Sequence, residues 1–238
     1  EARIASNDRG FSLADGVFET MLVQNGHIVR LDAHLDRLAL GAGILGIALP
    51  AATRTLRAAA RETVEANGLL TAPRASLRIT LTRGPGARGL ATPPAPTPTA
   101  VIAAAEAPPA PDGLTAITGS IRKLRTGPAS ALKTLAYTDH IIARREAEAA
   151  GAGEALMLSE KGGIACATAA NIFAVVEGVL VTPPDDGAIR CGVARADVLA
   201  LARELGIATE ERPLSRDALQ AAEEAFLTNS VIGVCPLT

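Results

Sequence analysis

Apolar residues recur at helical spacing near the start of the chain. This pattern predicts a helix over 31–45, with Asp32 as its N-cap. A second helix is predicted over 53–67, ending at Gly68. The apolar positions that share one face of the first helix are Leu31, Leu35, Leu38, Ala42 and Leu45.

Alternation of apolar and polar residues predicts strands elsewhere. Leu77, Ile79 and Leu81 are apolar and the residues between them are polar, which is typical of a strand with one buried face. The second half adds predicted helices near 138–150, 193–205 and 216–223, strands near 154–159, 171–176 and 179–182, and a strand pair near 225–235. This mixture predicts an α+β or α/β chain in two subdomains.

Prolines mark the boundary between the two subdomains. Eight of the fifteen prolines lie between 85 and 111. Proline fixes φ and removes a backbone donor, so this region is predicted to be loop and linker around one short strand at 100–104. The expected division is a smaller N-terminal α+β subdomain over 1–105, a linker over 106–113 and a larger C-terminal subdomain over 114–238.

Composition narrows the class of protein. The 238 residues are 48% hydrophobic and carry a formal net charge of -2, which favours a packed core and offers no basic surface for nucleic acid. No apolar run is long enough to predict a membrane span. The three cysteines are far apart and form no metal-binding set, so we expect a reducing, cytoplasmic setting and no metal.

One of the three lysines stands apart. Lys123 lies in a basic run and Lys161 in a glycine-rich turn, so both are predicted to be solvated. Lys133 has apolar flanks and no like-charged neighbour. A desolvated lysine loses its proton more readily and can act as a nucleophilic amine, which is the requirement of Schiff-base chemistry. An ordinary surface lysine is the competing interpretation.

Three other segments carry groups that bind anions. The run from Cys191 to Arg195 opens a predicted helix, whose N-terminus is a natural phosphate site. Thr228, Asn229 and Ser230 follow a predicted strand and supply hydroxyl and amide groups. Arg37 flanks the apolar stripe of the first helix. Together with Lys133, these segments indicate pyridoxal phosphate as the cofactor.

Longer motifs resemble the class IV aminotransferases. They cover the chain from end to end in the order and spacing of that family. The matching segments are 8–20, 34–38, 132–137, 169–173 and 192–195. The resemblance implies the α+β fold of pyridoxal-phosphate fold type IV, with two subdomains, the cofactor at their interface and Lys133 on the larger one.

The resemblance also implies roles for individual residues. Lys133 would be the catalytic lysine that bonds to the cofactor and moves the substrate proton. Phe18 and Arg88 would contact substrate, Arg88 by binding a carboxylate. The residues that would bind the cofactor are Arg37, Lys133, Tyr137, Cys166, Asn171, Gly192, Val193, Ala194, Asn229 and Ser230.

Cys166 is the largest departure from the family pattern. Relatives usually have a glutamate five residues before the asparagine that corresponds to Asn171, and its carboxylate keeps the pyridine nitrogen protonated. A thiol is a weak and normally neutral partner, so either another group supplies the charge or the ring draws electrons less strongly. Phe18 and Leu90 replace a tyrosine and a histidine of D-amino acid aminotransferases, which argues against that activity.

The C-terminal segment 227–237 resembles 4-amino-4-deoxychorismate lyases of folate biosynthesis. These enzymes form 4-aminobenzoate and pyruvate, and formation of an aromatic product supplies driving force that transamination lacks. The lyase is therefore the leading expectation. A class IV aminotransferase acting on branched-chain or related amino acids is the first alternative, and a catalytically weak cofactor-binding homologue is the second. By resemblance, the expected assembly is a homodimer acting on a small amino substrate.

Overall fold

The computed structural model describes residues 3–125, 127–185 and 189–238. The chain divides into two compact units, the first comprising Glu1–Pro109 with Leu132–Ala136 and the second Ala110–Ala131 with Tyr137–Thr238. The main division therefore falls between Pro109 and Ala110. Lys133 groups with the first unit, whereas its place in the family pattern assigned it to the larger one.

The first unit is a four-stranded antiparallel sheet with two helices on one face. Its elements are α1 (Arg9–Leu13), β1 (Gly16–Gln24), β2 (His27–Ile28), α2 (Leu31–Ile44), α3 (Thr53–Ala66), β3 (Ala75–Thr82) and β4 (Thr99–Glu106), with the sheet in the order β2-β1-β3-β4. The apolar stripe of α2 and the alternating residues of β3 meet in one core, as their periodicities predict. Both predicted helices are confirmed.

The predicted cap of α2 is wrong. The helix starts directly after Arg30, which has a left-handed backbone with φ of 53° and makes no capping hydrogen bond with its side chain. Asp32 lies in the first turn instead, where its carboxylate pairs with Arg57. The turn that leads out of β2 therefore sets the start of the helix, and Asp32 complements the positive end of the helix dipole.

The second unit contains two sheets. Its elements are β5 (Ala116–Lys123), a 3-10 turn (Pro128–Ala131), α4 (Thr138–Ala149), β6 (Glu154–Ser159), β7 (Ile164–Ala167), β8 (Asn171–Val176), β9 (Val179–Thr182), α5 (Val193–Glu204), β10 (Thr209–Glu211), α6 (Arg216–Gln220), β11 (Glu224–Asn229) and β12 (Gly233–Pro236). One sheet has the order β5-β6-β7 and the other the order β10-β9-β8-β11-β12. The mixed α+β class is confirmed, while β5, β7 and β10 were not predicted and α6 ends at Gln220.

Cys166 and Lys123 share one face of the three-stranded sheet. Cys166 pairs with Met157 of β6, and Lys123 pairs with Ser159, two residues further along the same strand. Residues two apart in a strand point to the same face. Helix α4 packs on β5 and β6 and brings His140 to this region, where His140 is buried.

Candidate active site

Lys133 lies against the edge of β1 in the first unit. The backbone amide of Phe18 donates to the carbonyl of Lys133 at 2.9 Å, and the amide of Leu135 donates to the carbonyl of Gly16 at 3.1 Å. These bonds flank an isolated antiparallel bridge between Thr134 and Val17, which holds the segment 132–136 beside β1. The Lys133 Nζ lies 4.2 Å from the centroid of the Phe18 ring, so the two residues predicted to act at the site are in contact.

Arg78 is a further cation on the same ring, and sequence reasoning did not identify it. Its guanidinium carbon lies 3.6 Å from the Phe18 centroid, and its Nε donates to Thr80 Oγ1 at 3.2 Å. Arg78 is an exposed residue of β3, on the face opposite the core residues Leu77 and Ile79. The strand alternation places it there, but only the pairing of β1 with β3 brings it next to Phe18.

Arg37 makes a bidentate salt bridge to a buried carboxylate. Its Nε and Nη2 donate to the two oxygens of Glu19, each at 2.7 Å, and Nδ1 of buried His34 donates to Oε2 of the same carboxylate at 2.7 Å. Burial alone would raise the pKa of Glu19, but the hydrogen bonds and charges of His34 and Arg37 together lower it. Glu19 therefore fixes the guanidinium that the family pattern assigns to the cofactor phosphate.

Asn171 and Gly192 meet at the start of α5 in the second unit. Asn171 Nδ2 donates to the carbonyl of Arg190 at 2.9 Å. A Cβ added to Gly192 would lie 2.2 Å from Asn171 Oδ1, a distance that no side chain tolerates. The helix begins at Val193 without a side-chain cap at Gly192, so the first-turn amide groups of Val193 and Ala194 receive no capping oxygen from that residue.

The predicted anion-binding segment after β11 forms a turn that is held by the side chain of Asn229. Asn229 Oδ1 accepts hydrogen bonds from the amides of Val231 and Ile232, both at 2.8 Å, and its Nδ2 donates to the carbonyl of Ala169 at 3.2 Å. Asn229 therefore shapes the turn that carries Ser230. Among the described residues, the buried hydroxyl of Thr228 has no hydrogen-bond partner.

Tyr137 belongs to a connected set of polar rings and charges in the second unit. The Arg190 Nη1 donates to the Tyr137 hydroxyl at 2.7 Å, and the Tyr137 ring stacks on His140 with 4.6 Å between the ring centroids. His140 Nδ1 donates to the carbonyl of Thr168 at 2.6 Å. The carbonyl of Arg190 also accepts a hydrogen bond from Asn171. Arg190 therefore links Tyr137 to the turn at Asn171 and Gly192, which we call the phosphate-side turn.

Lys123 is not a solvated lysine, which corrects the sequence prediction. Its Nζ donates to His140 Nε2 at 3.3 Å, and its side chain lies on the sheet face that carries Cys166. Burial lowers the pKa of Lys123. Burial, assisted by the charge of Lys123, also lowers the pKa of His140 to about 4, so His140 is neutral and its Nε2 accepts. Lys161 is exposed, as predicted.

Cys166 is a buried neutral thiol among basic groups. Burial raises its pKa, although the charges of Lys123 and Arg190 oppose that rise. The carboxylate of nearby Glu154 accepts hydrogen bonds from Thr168 and from the amide of Ala155, and its charge also raises the pKa of the thiol. Position 166 therefore holds a neutral thiol on which both basic and acidic groups act.

Arg88 lies on a loop that is anchored by hydrogen bonds from the Arg9 side chain. Buried Arg9 donates to the carbonyls of Gly89, Leu90 and Ala91 and pairs with Asp15 at 2.8 Å. The Arg88 side chain itself is exposed. Arg9 therefore orders the loop of a residue predicted to bind a substrate carboxylate, a function that the sequence motif alone did not reveal.

These residues fit a phosphate-bearing aromatic cofactor. In the second unit, α5 begins after Gly192 without a side-chain cap, and helix N-termini favour phosphate groups. In the first unit, Arg37 is held by Glu19 as a fixed guanidinium, and Lys133 supplies an amine. The class of protein that this fold and these groups define is a lysine-dependent pyridoxal-phosphate enzyme.

Comparison with known proteins places the chain in one family. Residues 16–238 match the family model described as amino-transferase class IV, and the chain belongs to this family. Its fold is that of pyridoxal-phosphate fold type IV, and members of the family are pyridoxal-phosphate-dependent enzymes. The resemblance, the fold, the cofactor and the enzyme class predicted from the sequence are therefore confirmed.

Three similar proteins carry three different activities in their names. A Methanocaldococcus jannaschii protein, whose name assigns it provisionally to the branched-chain-amino-acid aminotransferases, is 35% identical over all of this chain and 82% of its own length. A D-alanine aminotransferase of Bacillus licheniformis is 30% identical over all of this chain and 83% of its own. The crystal structure of 4-amino-4-deoxychorismate lyase from Pseudomonas aeruginosa has a TM-score of 0.88 and 30% identity, covering all of this chain and 87% of its own.

Among the described residues, no helix is both long and apolar enough to span a bilayer. No group of histidine, cysteine or acidic residues in the same part of the chain has the arrangement of a metal site.

Proposed function

We propose that this protein is a pyridoxal-phosphate-dependent lyase that converts 4-amino-4-deoxychorismate to 4-aminobenzoate and pyruvate. The observation that supports it most is the buried, neutral thiol of Cys166 at the position where the family pattern has a carboxylate. Without an acid at its pyridine nitrogen, the cofactor ring is a weak electron sink. The lyase reaction depends less on electron withdrawal by the ring, because formation of an aromatic product supplies driving force. The similarity to the Pseudomonas lyase agrees with this choice.

The cofactor, when bound, would withdraw electrons from the substrate carbon that carries the amine. The Lys133 amine would take the proton from that carbon, C4 of the substrate ring. The bond between C3 and the enolpyruvyl oxygen then breaks, and a proton is delivered to the methylene carbon of the departing enolpyruvate. The two products together contain all the atoms of the substrate, so no water or oxidant is consumed.

Other side chains would bind and orient the reactants. Arg37, oriented by Glu19, and the first-turn amides of α5 would hold the phosphate. Tyr137, held by Arg190, would lie at the cofactor ring. Arg78 presents a guanidinium beside Lys133 across the Phe18 ring, and a substrate with two carboxylates offers it a partner.

An aminotransferase is the second candidate, and the observation that favours it is the 35% identity to the Methanocaldococcus protein. Both candidates use Lys133. They differ in the fate of the cofactor, because transamination leaves it as pyridoxamine phosphate and the lyase reaction regenerates the starting form. A homodimer and a cytoplasmic location belong to the same proposal.

The test is an assay of products with pyridoxal phosphate bound. We expect 4-aminobenzoate and pyruvate to appear from 4-amino-4-deoxychorismate in equal amounts over many turnovers. Lys133→Ala is expected to abolish this turnover and the visible absorbance of the bound cofactor, while Lys161→Ala, at an exposed lysine, leaves both unchanged. Conversion to pyridoxamine phosphate by a branched-chain amino acid or D-alanine, without lyase turnover, would establish the aminotransferase instead, and absence of any turnover would indicate the catalytically weak homologue.

A further inference from the structure

The buried side chain of Arg9 contacts the loop of Arg88 both before and after that residue. We call residues 84–91 the Arg88 loop. The aliphatic part of Arg9 packs against Gly86, where an added Cβ would lie 2.9 Å from Arg9 Cδ. Its two terminal nitrogens donate to the carbonyls of residues 89–91 at distances from 3.1 to 3.4 Å. One guanidinium therefore binds three consecutive carbonyls that directly follow Arg88.

The backbone of Gly89 permits the turn by which these carbonyls reach one guanidinium. Its φ of 97° lies in the region that favours glycine, because a side chain there would strain the backbone. Among the described residues beyond its chain neighbours, no atom lies within 4 Å of a Cβ added at Gly89. An alanine would therefore change the Arg88 loop through backbone conformation and not through a clash.

Asp15 holds the Arg9 guanidinium in this position. Its Oδ2 accepts hydrogen bonds from Nε of Arg9 at 2.8 Å and from Nε of Arg83 at 2.7 Å. Burial acts to raise the pKa of Asp15, but the hydrogen bonds and charges of the two arginines lower it overall. The carboxylate is therefore ionised at neutral pH, and Arg9 joins a fixed anion to the Arg88 loop.

Arg83 shares this carboxylate but holds a different segment of the first unit. Its Nη1 and Nη2 donate to the carbonyls of residues 45–46 at 2.8 and 2.7 Å, just after helix α2. The side chains of Arg83 and Arg9 are both buried. Arg83 is therefore a matched reference for Arg9, because the two share their burial and their pairing with Asp15 but bind different carbonyls.

We propose that Arg9 and Asp15 are positioning residues of the substrate site, which fix the Arg88 loop so that Arg88 is oriented to bind a substrate carboxylate. This rests on the proposed function, which gives the site a carboxylate-bearing substrate, and on the family pattern, which assigns Arg88 to that group. An arginine bonds a carboxylate in a defined geometry, and a loop ordered before binding loses less entropy when the substrate arrives. The effect therefore falls on substrate binding and not on proton transfer by Lys133.

The first test separates KM from kcat for 4-amino-4-deoxychorismate, or for an amino donor if transamination is the reaction observed. Arg9→Lys keeps a cation for Asp15, but an ammonium lacks the planar fork that binds several carbonyls at once. We expect KM to rise about tenfold and kcat to stay within about twofold of the wild type.

Arg88→Met and Arg83→Lys are the reference variants in this assay. Arg88→Met is expected to raise KM about as much as Arg9→Lys does, and the double variant no further, because both changes act through Arg88. Arg83→Lys is expected to leave KM near that of the wild type, since Arg83 binds the carbonyls after α2.

The second test is limited proteolysis by trypsin of the protein with pyridoxal phosphate bound, and it needs no turnover. Arg88 is exposed, so the order of its loop controls cleavage after it. The cut after Lys161, at an exposed turn, is the internal reference, and mass spectrometry measures both rates. We expect Arg9→Lys and Gly89→Ala to raise cleavage at Arg88 relative to Lys161 about fivefold or more, whereas Arg83→Lys leaves this ratio unchanged.

The outcomes separate this inference from the proposed function. An unchanged KM in Arg9→Lys or in Arg88→Met, additive effects in the double variant, or cleavage that rises equally at Arg88 and Lys161 would overturn the positioning role even if lyase turnover were present. Selective cleavage at Arg88 together with a raised KM for an amino donor would support the positioning role even if the protein were an aminotransferase.

Discussion

Two polar clusters, one in each unit, solve the problem of buried charge in opposite ways. In the first unit the Glu19 carboxylate is buried and receives hydrogen bonds from His34 and Arg37. In the second unit Lys123 donates to a neutral His140, and burial keeps the nearby thiol of Cys166 neutral. The difference teaches that a buried site stays charged, as the balanced cluster around Glu19 does, only where hydrogen bonds and opposite charges outweigh desolvation.

The balanced cluster is the one whose disruption is expected to cost most. Glu19→Gln removes the charge that pairs with Arg37 and accepts from His34. Removing one partner of a buried ion pair typically costs about 3 kcal/mol or more. Urea unfolding of the wild type and the variant measures this loss, and affinity for pyridoxal phosphate is expected to fall as well because Arg37 is no longer fixed.

Glu65→Gln provides the control for this change. Glu65 is an exposed residue of α3, so its substitution is expected to alter the free energy of unfolding by about 0.5 kcal/mol or less. If Glu19→Gln behaved in the same way as Glu65→Gln, the Glu19 cluster would not be a stabilising pair.

The polar cluster of the second unit, in which Lys123 donates to His140, should affect the pH dependence of stability. Burial holds the pKa of His140 near 4, compared with about 6.5 when the chain is unfolded. A histidine with a depressed folded pKa contributes stability that is present above the unfolded pKa and is lost as pH falls toward the folded pKa. The loss between pH 6.5 and 4 is expected to be at most on the order of 3 kcal/mol.

His140→Asn removes this titration and keeps a donor for the Thr168 carbonyl. We expect the free energy of unfolding of this variant to depend less steeply on pH between 4 and 6.5 than that of the wild type. His27→Asn is the matched control, because His27 is exposed. Equal slopes for the wild type and His140→Asn would show that His140 is not held neutral by the fold.

A smaller effect is expected at the phosphate-side turn, outside both clusters. Gly192→Ala would place a Cβ 2.2 Å from Asn171 Oδ1, and relief of such crowding costs roughly 1–3 kcal/mol. We expect affinity for pyridoxal phosphate, measured by equilibrium titration, to fall about tenfold.

Gly43→Ala is the control for this glycine, since no atom lies within 4 Å of a Cβ added there. Alanine is the better helix former, so this change in α2 is expected to stabilise the fold slightly and leave cofactor affinity unchanged. Unaltered affinity in Gly192→Ala would mean that the close approach to Asn171 does not shape the phosphate site.

The sequence predicts most of the secondary structure because its apolar periodicities are regular. The stripe of α2 and the alternation of β3 both match the structure. The strand β7 escaped notice because its four residues, Ile164–Ala167, are all buried and show no alternation. The cap of α2 was misplaced because the left-handed residue Arg30 has no sequence signal of the kind that glycine provides.

Local motifs in the sequence mark candidate site residues, whereas contacts that strand pairing creates leave no such mark. Lys133 has apolar flanks that mark it within a few residues of sequence. Lys123 lies in a basic run that suggests solvent, yet it alternates with Ile121, a partly buried residue that packs near Cys166. That alternation was the available signal. Arg78 had no such signal, because its contact with Phe18 depends on strand register.

The most direct test of the central claim is the ratio of lyase to transaminase turnover in the wild type and in Cys166→Glu. The assay follows 4-aminobenzoate formed from 4-amino-4-deoxychorismate and pyridoxamine phosphate formed from amino donors. Because the added carboxylate would protonate the ring and strengthen the electron sink, we expect transaminase turnover to rise greatly while lyase turnover stays nearly unchanged. Lyase turnover that appears only when residue 166 is an acid would contradict the claim that a neutral residue at position 166 selects the lyase reaction.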